Sequence, residues 1–168
     1  MLFRSGDIDV GATMAGTSIS ISGKDIDLAG RLTAGTSASL TATVGDVSSA
    51  GKVEIDAGSI SLVGRLTAAT DVFLTALTGG ISSSGSISAT LGDIIANAAN
   101  GPISVNDLEA TGDIRLVGTS VNVAGTATAH GSAFLQALTG NVSVGGSVTA
   151  TGGALVLDAS SGSALLNR

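Results

Sequence analysis

From Gly6 onward the chain alternates apolar and small polar residues in short bursts, broken every few positions by Gly, Ser, Thr, Asn or Asp. Alternation with a period of two, punctuated by turn residues, is the pattern of β-strands, and the Gly and β-branched content leaves no stretch that reads as a helix. The bursts fall into groups of three, and the groups recur. The phrase Gly-Arg-Leu-Thr-Ala stands at 30–34 and again at 64–68, with looser copies ending at Ala89, Ala110, Ala129 and Ala150. From Ala68 onward the final alanines follow one another at a nearly constant interval, whereas Ala34 and Ala68 are separated by well over one such interval. A period near 20 built from strands marks a solenoid, in which each unit touches only its neighbours. The expected fold is all-β: a right-handed parallel β-helix of about eight coils of roughly 20 residues, with three strands per coil and a length of roughly 40 Å. The handedness follows from three-faced coils of this length without the strict hexapeptides of left-handed forms.

The alternation also assigns the inside. The first strand of each coil is expected to turn inward Ala38 and Leu40, Val53 and Ile55, Val72 and Leu74, Ile94 and Ala96, Ile114 and Leu116, Ala133 and Leu135, and Leu155 and Leu157. The second supplies Ile26 and Leu28, Ile60 and Leu62, Ile103 and Val105, Val121 and Val123, and Val142 and Val144; the third supplies pairs such as Leu32 with Ala34 and Val148 with Ala150. One such coil buries too little apolar surface to offset the ordering of its own backbone, so stacking is obligatory. Gly30, Gly64, Gly85, Gly125 and Gly146 open the third strand, with Asn106 in the same place, which predicts a column of left-handed corners. Val47 ends a second strand almost directly before the next first strand, so that coil is expected to lack its third side and to kink.

Composition narrows the class. With 25 Gly, no Cys, no Trp, no Tyr and 43% hydrophobic residues, the chain is too apolar for disorder and too poor in aromatics for an ordinary compact core. A net charge of −6, with seven Lys and Arg placed singly, argues against nucleic acid as a partner. No apolar stretch approaches the length of a membrane helix, and three Phe cannot build the aromatic girdles of a membrane barrel, so no membrane insertion is expected. The N-terminus carries no basic region followed by an apolar core. Residues 1–5 read as a non-native start, because Leu2-Phe3-Arg4-Ser5 is what a common sequencing-adapter string encodes; residues 6–168 read as one β-helix repeat domain truncated at both ends, without a visible cap over its strand edges.

The outward positions carry the candidate chemistry. On the first face they run Phe73, Ile95, Arg115, Phe134 and Val156, with Val117 beside Arg115: an apolar stripe on consecutive coils that reads either as a contact with another chain or as scattered surface hydrophobes. On the second face Asp27, Ser48, Ser61, Ser82, Ser104, Asn122 and Ser143 form a hydroxyl-rich ribbon, a solvated flat face or a surface for ice or a glycan. Against ice, the third-face column Thr33, Thr67, Ser88, Glu109, Thr128 and Thr149 is interrupted by a charge. Asp71, Asp93 and Asp113 precede the first strand in three successive coils, where they either bond their own turns or gather calcium; the calcium-binding nonapeptide of other solenoids is absent. Catalysis finds little footing. His130 is the sole histidine and has no nucleophile at triad spacing, and the best carboxylate cluster for a carbohydrate-active enzyme, Asp93 and Asp113 with Arg115, has no long loops to wall a groove. Asn141-Val142-Ser143 matches a glycosylation sequon, but Val142 is an inward residue.

Gly112-Asp113-Ile114-Arg115-Leu116 alternating with Gly64-Arg65-Leu66-Thr67-Ala68 resembles the repeats of filamentous haemagglutinin-like exoproteins, over about residues 6–160. The resemblance implies a β-helical shaft outside a bacterial cell, in a virulence adhesin or contact-dependent toxin carrier exported through an outer-membrane partner by two-partner secretion. The Asn-Pro-Asn-Gly motif of the secretion domain, an Arg-Gly-Asp tripeptide and a toxin-like C-terminal domain are not in the sequence. The expectation is therefore a secreted, non-enzymatic shaft segment without cofactors, which displays distal domains toward a host-cell or bacterial surface ligand. The alternatives are an ice- or glycan-binding solenoid and a carbohydrate-active β-helix enzyme.

Overall fold

The structure, a computed structural model, describes residues 2–4 and 6–166; Met1 and Ser5 of the expected non-native start, and the last two residues of the chain, lie outside them. Every regular element among the described residues is a strand, and every pairing is parallel. The chain winds as a solenoid of about eight coils with roughly 21 residues per turn. Each turn returns the chain to the same face, so that Ile114 lies beside Ala133 and Leu32 beside Ile55. The first face is an eight-stranded sheet running from Thr13–Ala15 through Val72–Ala76 to Leu155–Ala159. The other two faces belong to one continuous sheet, because two long strands, Ser37–Ser49 and Ser59–Ala68, bend around the corner between them.

The core is a single file of aliphatic layers. Val53, Val72, Ile94, Ile114 and Ala133 stack on the first face, Ile60, Ile81, Ile103, Val121 and Val142 on the second, and Leu66, Ile87, Leu108, Ala127 and Val148 on the third, all buried. Branched side chains suit this packing, since each is held between its copies one coil above and one below. The last coil has neighbours on one side only, which leaves Leu155 and Leu166 of the inward columns exposed.

Three expectations are corrected. First, no side is missing at Val47. The segment Val47–Ser49 pairs with Ile26 and Asp27 on one flank and with Leu66 to Ala68 on the other, so it is itself a third side. The misreading came from phase: before residue 50 each strand that the alternation assigned to a face lies one face away from its expected place. Ala38 and Leu40 stack on Ile60 and Leu62, Ile26 stacks on Val47, and Leu32 stacks on Ile55. The two identical pentapeptides accordingly sit on different faces. Second, the irregularity is a register shift between Thr41 and Asp46, where the corner swells to hold extra residues and leaves Val44 82% exposed. One coil later the same corner is turned by Gly64 alone, with φ of 99°.

Third, the glycine column is not a row of left-handed corners. Gly64 is the one described residue with a left-handed φ, and Asn106 stands in the column with ordinary backbone angles. Gly85 and Gly146 are glycine for lack of room: a Cβ on either would press into the carbonyl of the coil before, at Gly64 and Gly125 respectively.

The layered core predicts an asymmetry that chemical denaturation can read. Leu116→Ala, which empties a fully buried layer between Ala96 and Leu135, is expected to cost about 2–5 kcal/mol. Ser88→Ala, on the outside of the third face, should stay within about 0.5 kcal/mol.

Candidate functional site

The first face carries the expected stripe as one unbroken ladder. Phe73 pairs with Ile95, Ile95 with Arg115, Arg115 with Phe134 and Phe134 with Val156, so the five side chains stand in file at coil spacing. They alternate with inward core residues, which fixes them outward. Arg115 and Val156 are exposed, while Phe73, Ile95 and Phe134 are half-buried against their neighbours. The Arg115 guanidinium lies over the Phe134 ring, 5.5 Å from its centre. Val117, beside Arg115, is 8% exposed and does not join the main core, although it points outward between Asn97 and Gln136 in its own ladder.

The stripe continues into a charged cluster that the sequence reading missed. Phe73 pairs with Glu54, and the pairing of Leu32 with Ile55 brings Arg31 alongside Glu54. Arg31 bridges Glu54 at 3.3 Å and Asp56 at 2.6 Å, and Lys52 bridges Glu54 at 2.7 Å while its ammonium sits 5.9 Å from the centre of the Phe73 ring. The Glu54 carboxyl is held below the usual carboxylate range chiefly by its hydrogen bond from Lys52, with the Arg31 and Lys52 charges adding to this and desolvation opposing it. Whatever stability this depressed value contributes is present above the usual carboxylate range and is lost as pH falls through the folded value. A shallow groove of about 350 Å³ borders the cluster, lined by Asp27, Arg31, Ser49, Lys52 and Glu54 among others.

The hydroxyl columns are regrouped by the phase correction. Ser61, Ser82, Ser104, Asn122 and Ser143 share a ladder as expected, but they are preceded by Ser39 and Ser20 rather than by Ser48 and Asp27. At the N-terminal end this ladder is flanked by Ser18, Ser37 and Ser59 on one side and by Ser22 and Thr41 on the other. Ser37 donates to the Ser18 hydroxyl at 3.0 Å. Asp27 and Ser48 instead lead the third-face column into Thr67, Ser88, Glu109, Thr128 and Thr149. Thr33 leaves that column for the first face, between Met14 and Asp56.

The three aspartates do stack, and their bonds run to the next coil rather than to their own turns. Asp71 accepts the N–H of Asp93 at 2.9 Å, Asp93 that of Asp113 at 2.7 Å, and Asp113 that of Ser132 at 2.7 Å. The same device recurs where it was not expected: Asp25 accepts from Asp46, Asp107 from Thr126, and Asn141 from Ser163. A signal for it was present in the sequence, since each of these residues directly precedes the first inward apolar residue of a strand, as in Asp93-Ile94 and Asn141-Val142. These carboxylates satisfy entering N–H groups that the ladder has not yet reached. Among the described residues no three His, Asp or Glu side chains converge to hold a metal ion.

The remaining candidates stay apart. The Arg115 guanidinium lies toward Phe134, whereas Asp93 and Asp113 face the backbone at the corner. His130 is an exposed corner residue whose carbonyl accepts the Thr151 hydroxyl. Val142 is fully buried, and the Asn141 side chain is engaged with Ser163. No family model, curated protein or solved structure matches the chain.

If the aspartates staple coils, Asp93→Ala should lower stability by about 1 kcal/mol while Asp93→Asn, which keeps the acceptor, retains most of it. Thermal melts with calcium and with a chelator should then coincide for wild type; a calcium-dependent midpoint would make the column a metal site instead.

Proposed function

We propose that this chain is a shaft segment of a secreted bacterial adhesin-type exoprotein, a non-enzymatic spacer that holds more specific domains at a distance. The observation that carries this reading is the uniformity of the stack. Successive coils repeat the same strand–corner–strand plan, and the described corners are short, so the chemistry-bearing side chains stand on flat faces or engage the backbone. A spacer needs length and stiffness, and a parallel stack supplies both, because every coil adds about 4.8 Å along the axis. The haemagglutinin-like repeat phrases support a place outside the cell.

A second reading, a flat receptor for a hydroxylated lattice such as a glycan, is favoured by the ladder of Ser20, Ser39, Ser61, Ser82 and Ser104.

The two readings separate in experiment. Removing residues 94–113 takes out one turn in register, since Ile94 pairs with Ile114. For a spacer, the shortened chain should fold and bring end-placed spectroscopic labels closer by about 4.8 Å, with display of a fused domain otherwise intact. Loss of the fold or an unchanged label distance would refute the spacer. For the glycan receptor, the triple change Ser39→Ala, Ser61→Ala and Ser82→Ala should abolish retention on immobilised polysaccharide; no retention by the wild type removes that reading.

A further inference from the structure

The first-face ladder reads, coil by coil, Arg31, Glu54, Phe73, Ile95, Arg115, Phe134. This order is complementary to its own reverse. When a second copy is laid face to face with its axis antiparallel, so that Phe73 meets Ile95, then Glu54 meets Arg115 and Arg31 meets the ring of Phe134. Each contact occurs twice about the two-fold. A two-fold along the strand direction produces this arrangement, because it reverses the coil order, turns the face over and keeps each ladder opposite itself. Other registers are worse: one coil further, Glu54 would face Phe134. With the two axes parallel, Arg115 would face Arg115 and Glu54 would face Glu54.

We propose that the first face is a self-association surface on which two copies of this chain pair antiparallel, sheet against sheet, through the ladder from Arg31 to Phe134. The charge order selects the second copy as occupant, and the half-exposed rings of Phe73 and Phe134 supply the apolar centre. Leu91 and Leu77, 74% and 57% exposed at the corners entering and leaving the face, widen it. Six coils at about 4.8 Å by a five-residue strand at about 3.3 Å per residue give about 480 Å² per copy, or roughly 950 Å² in all. That lies below the usual size of a stable complex, so the pairing is weak and reversible, and gains strength where many chains are held side by side. The inference rests on the ladder alone and stands or falls separately from the shaft reading.

A charge exchange tests it, with sedimentation velocity across concentration as the readout and circular dichroism confirming the fold of each protein. Glu54→Arg and Arg115→Glu are each expected to weaken self-association by about tenfold or more, because each sets like charges opposite one another. An equimolar mixture should recover it, since both basic side chains of the Glu54→Arg protein then meet both acidic side chains of the Arg115→Glu protein. Small-angle scattering of the wild-type dimer should show a thicker particle of about the same length. The proposal is overturned if wild type shows no association up to about 1 mM, if either folded variant associates like wild type, if the mixture gains nothing over its components, or if the dimer lengthens without thickening, which would mean joining through the open strand ends.

Discussion

The rise from one coil to the next, fixed by parallel backbone hydrogen bonding at about 4.8 Å, is the constraint on which the rest of this molecule depends. It forces every residue to live beside its counterpart in the neighbouring coil, so a side chain is chosen as much for its column as for its strand. Columns of Ile, Leu and Val satisfy this inside, since like aliphatics stack without voids, and columns of Ser and Thr satisfy it outside. Charges are harder to place in file. The aspartates at strand entries tolerate it because each carboxylate gives one oxygen to a neighbouring N–H, and Glu54 and Asp56 tolerate it because Arg31 and Lys52 lie across them.

The same constraint explains what could be read from the sequence. Inside and outside were legible almost throughout, because period-two alternation is unaffected by which face a strand occupies. The stripe from Phe73 to Val156 was legible too, since all five residues lie after the irregular corner, where the coil count is regular. Face identity before residue 50 was not. The first and third faces both accept an apolar-polar-small triplet, so Leu32-Thr33-Ala34 and Leu66-Thr67-Ala68 satisfy different faces with one phrase, and only corner length tells them apart. The corner from Leu40 to Val47 is longer than its counterpart from Leu62 to Leu66, although both join the same two faces.

The glycines teach a related lesson. Recurrence at a corner invites a conformational explanation, and at Gly64 that explanation is right. At Gly85 and Gly146 it is the carbonyl of the adjacent coil that excludes a side chain, a contact with no trace in local sequence. Likewise, Arg31 reaches Glu54 and Asp56 from the coil before through a long side chain, and no spacing rule announces that contact.

The displacement of the two pentapeptides has a consequence for how such a gene can change length. Repeats grow and shrink when similar stretches of DNA exchange, and the two identical peptides here are residues 30–34 and 64–68. A crossover between them would delete Gly35 through Ala68, so that Ala34 on the first face would be followed by Ala69 and then by Val72, on the first face again. Two sides of a coil would vanish and the winding would break. A crossover between the less similar copies ending at Ala68 and Ala89, whose alanines are paired in the ladder, would delete Ala69 through Ala89 and leave every face in place. In this chain the closest verbal match is the wrong place to recombine, which favours drift of the phrases away from identity while their geometry is kept.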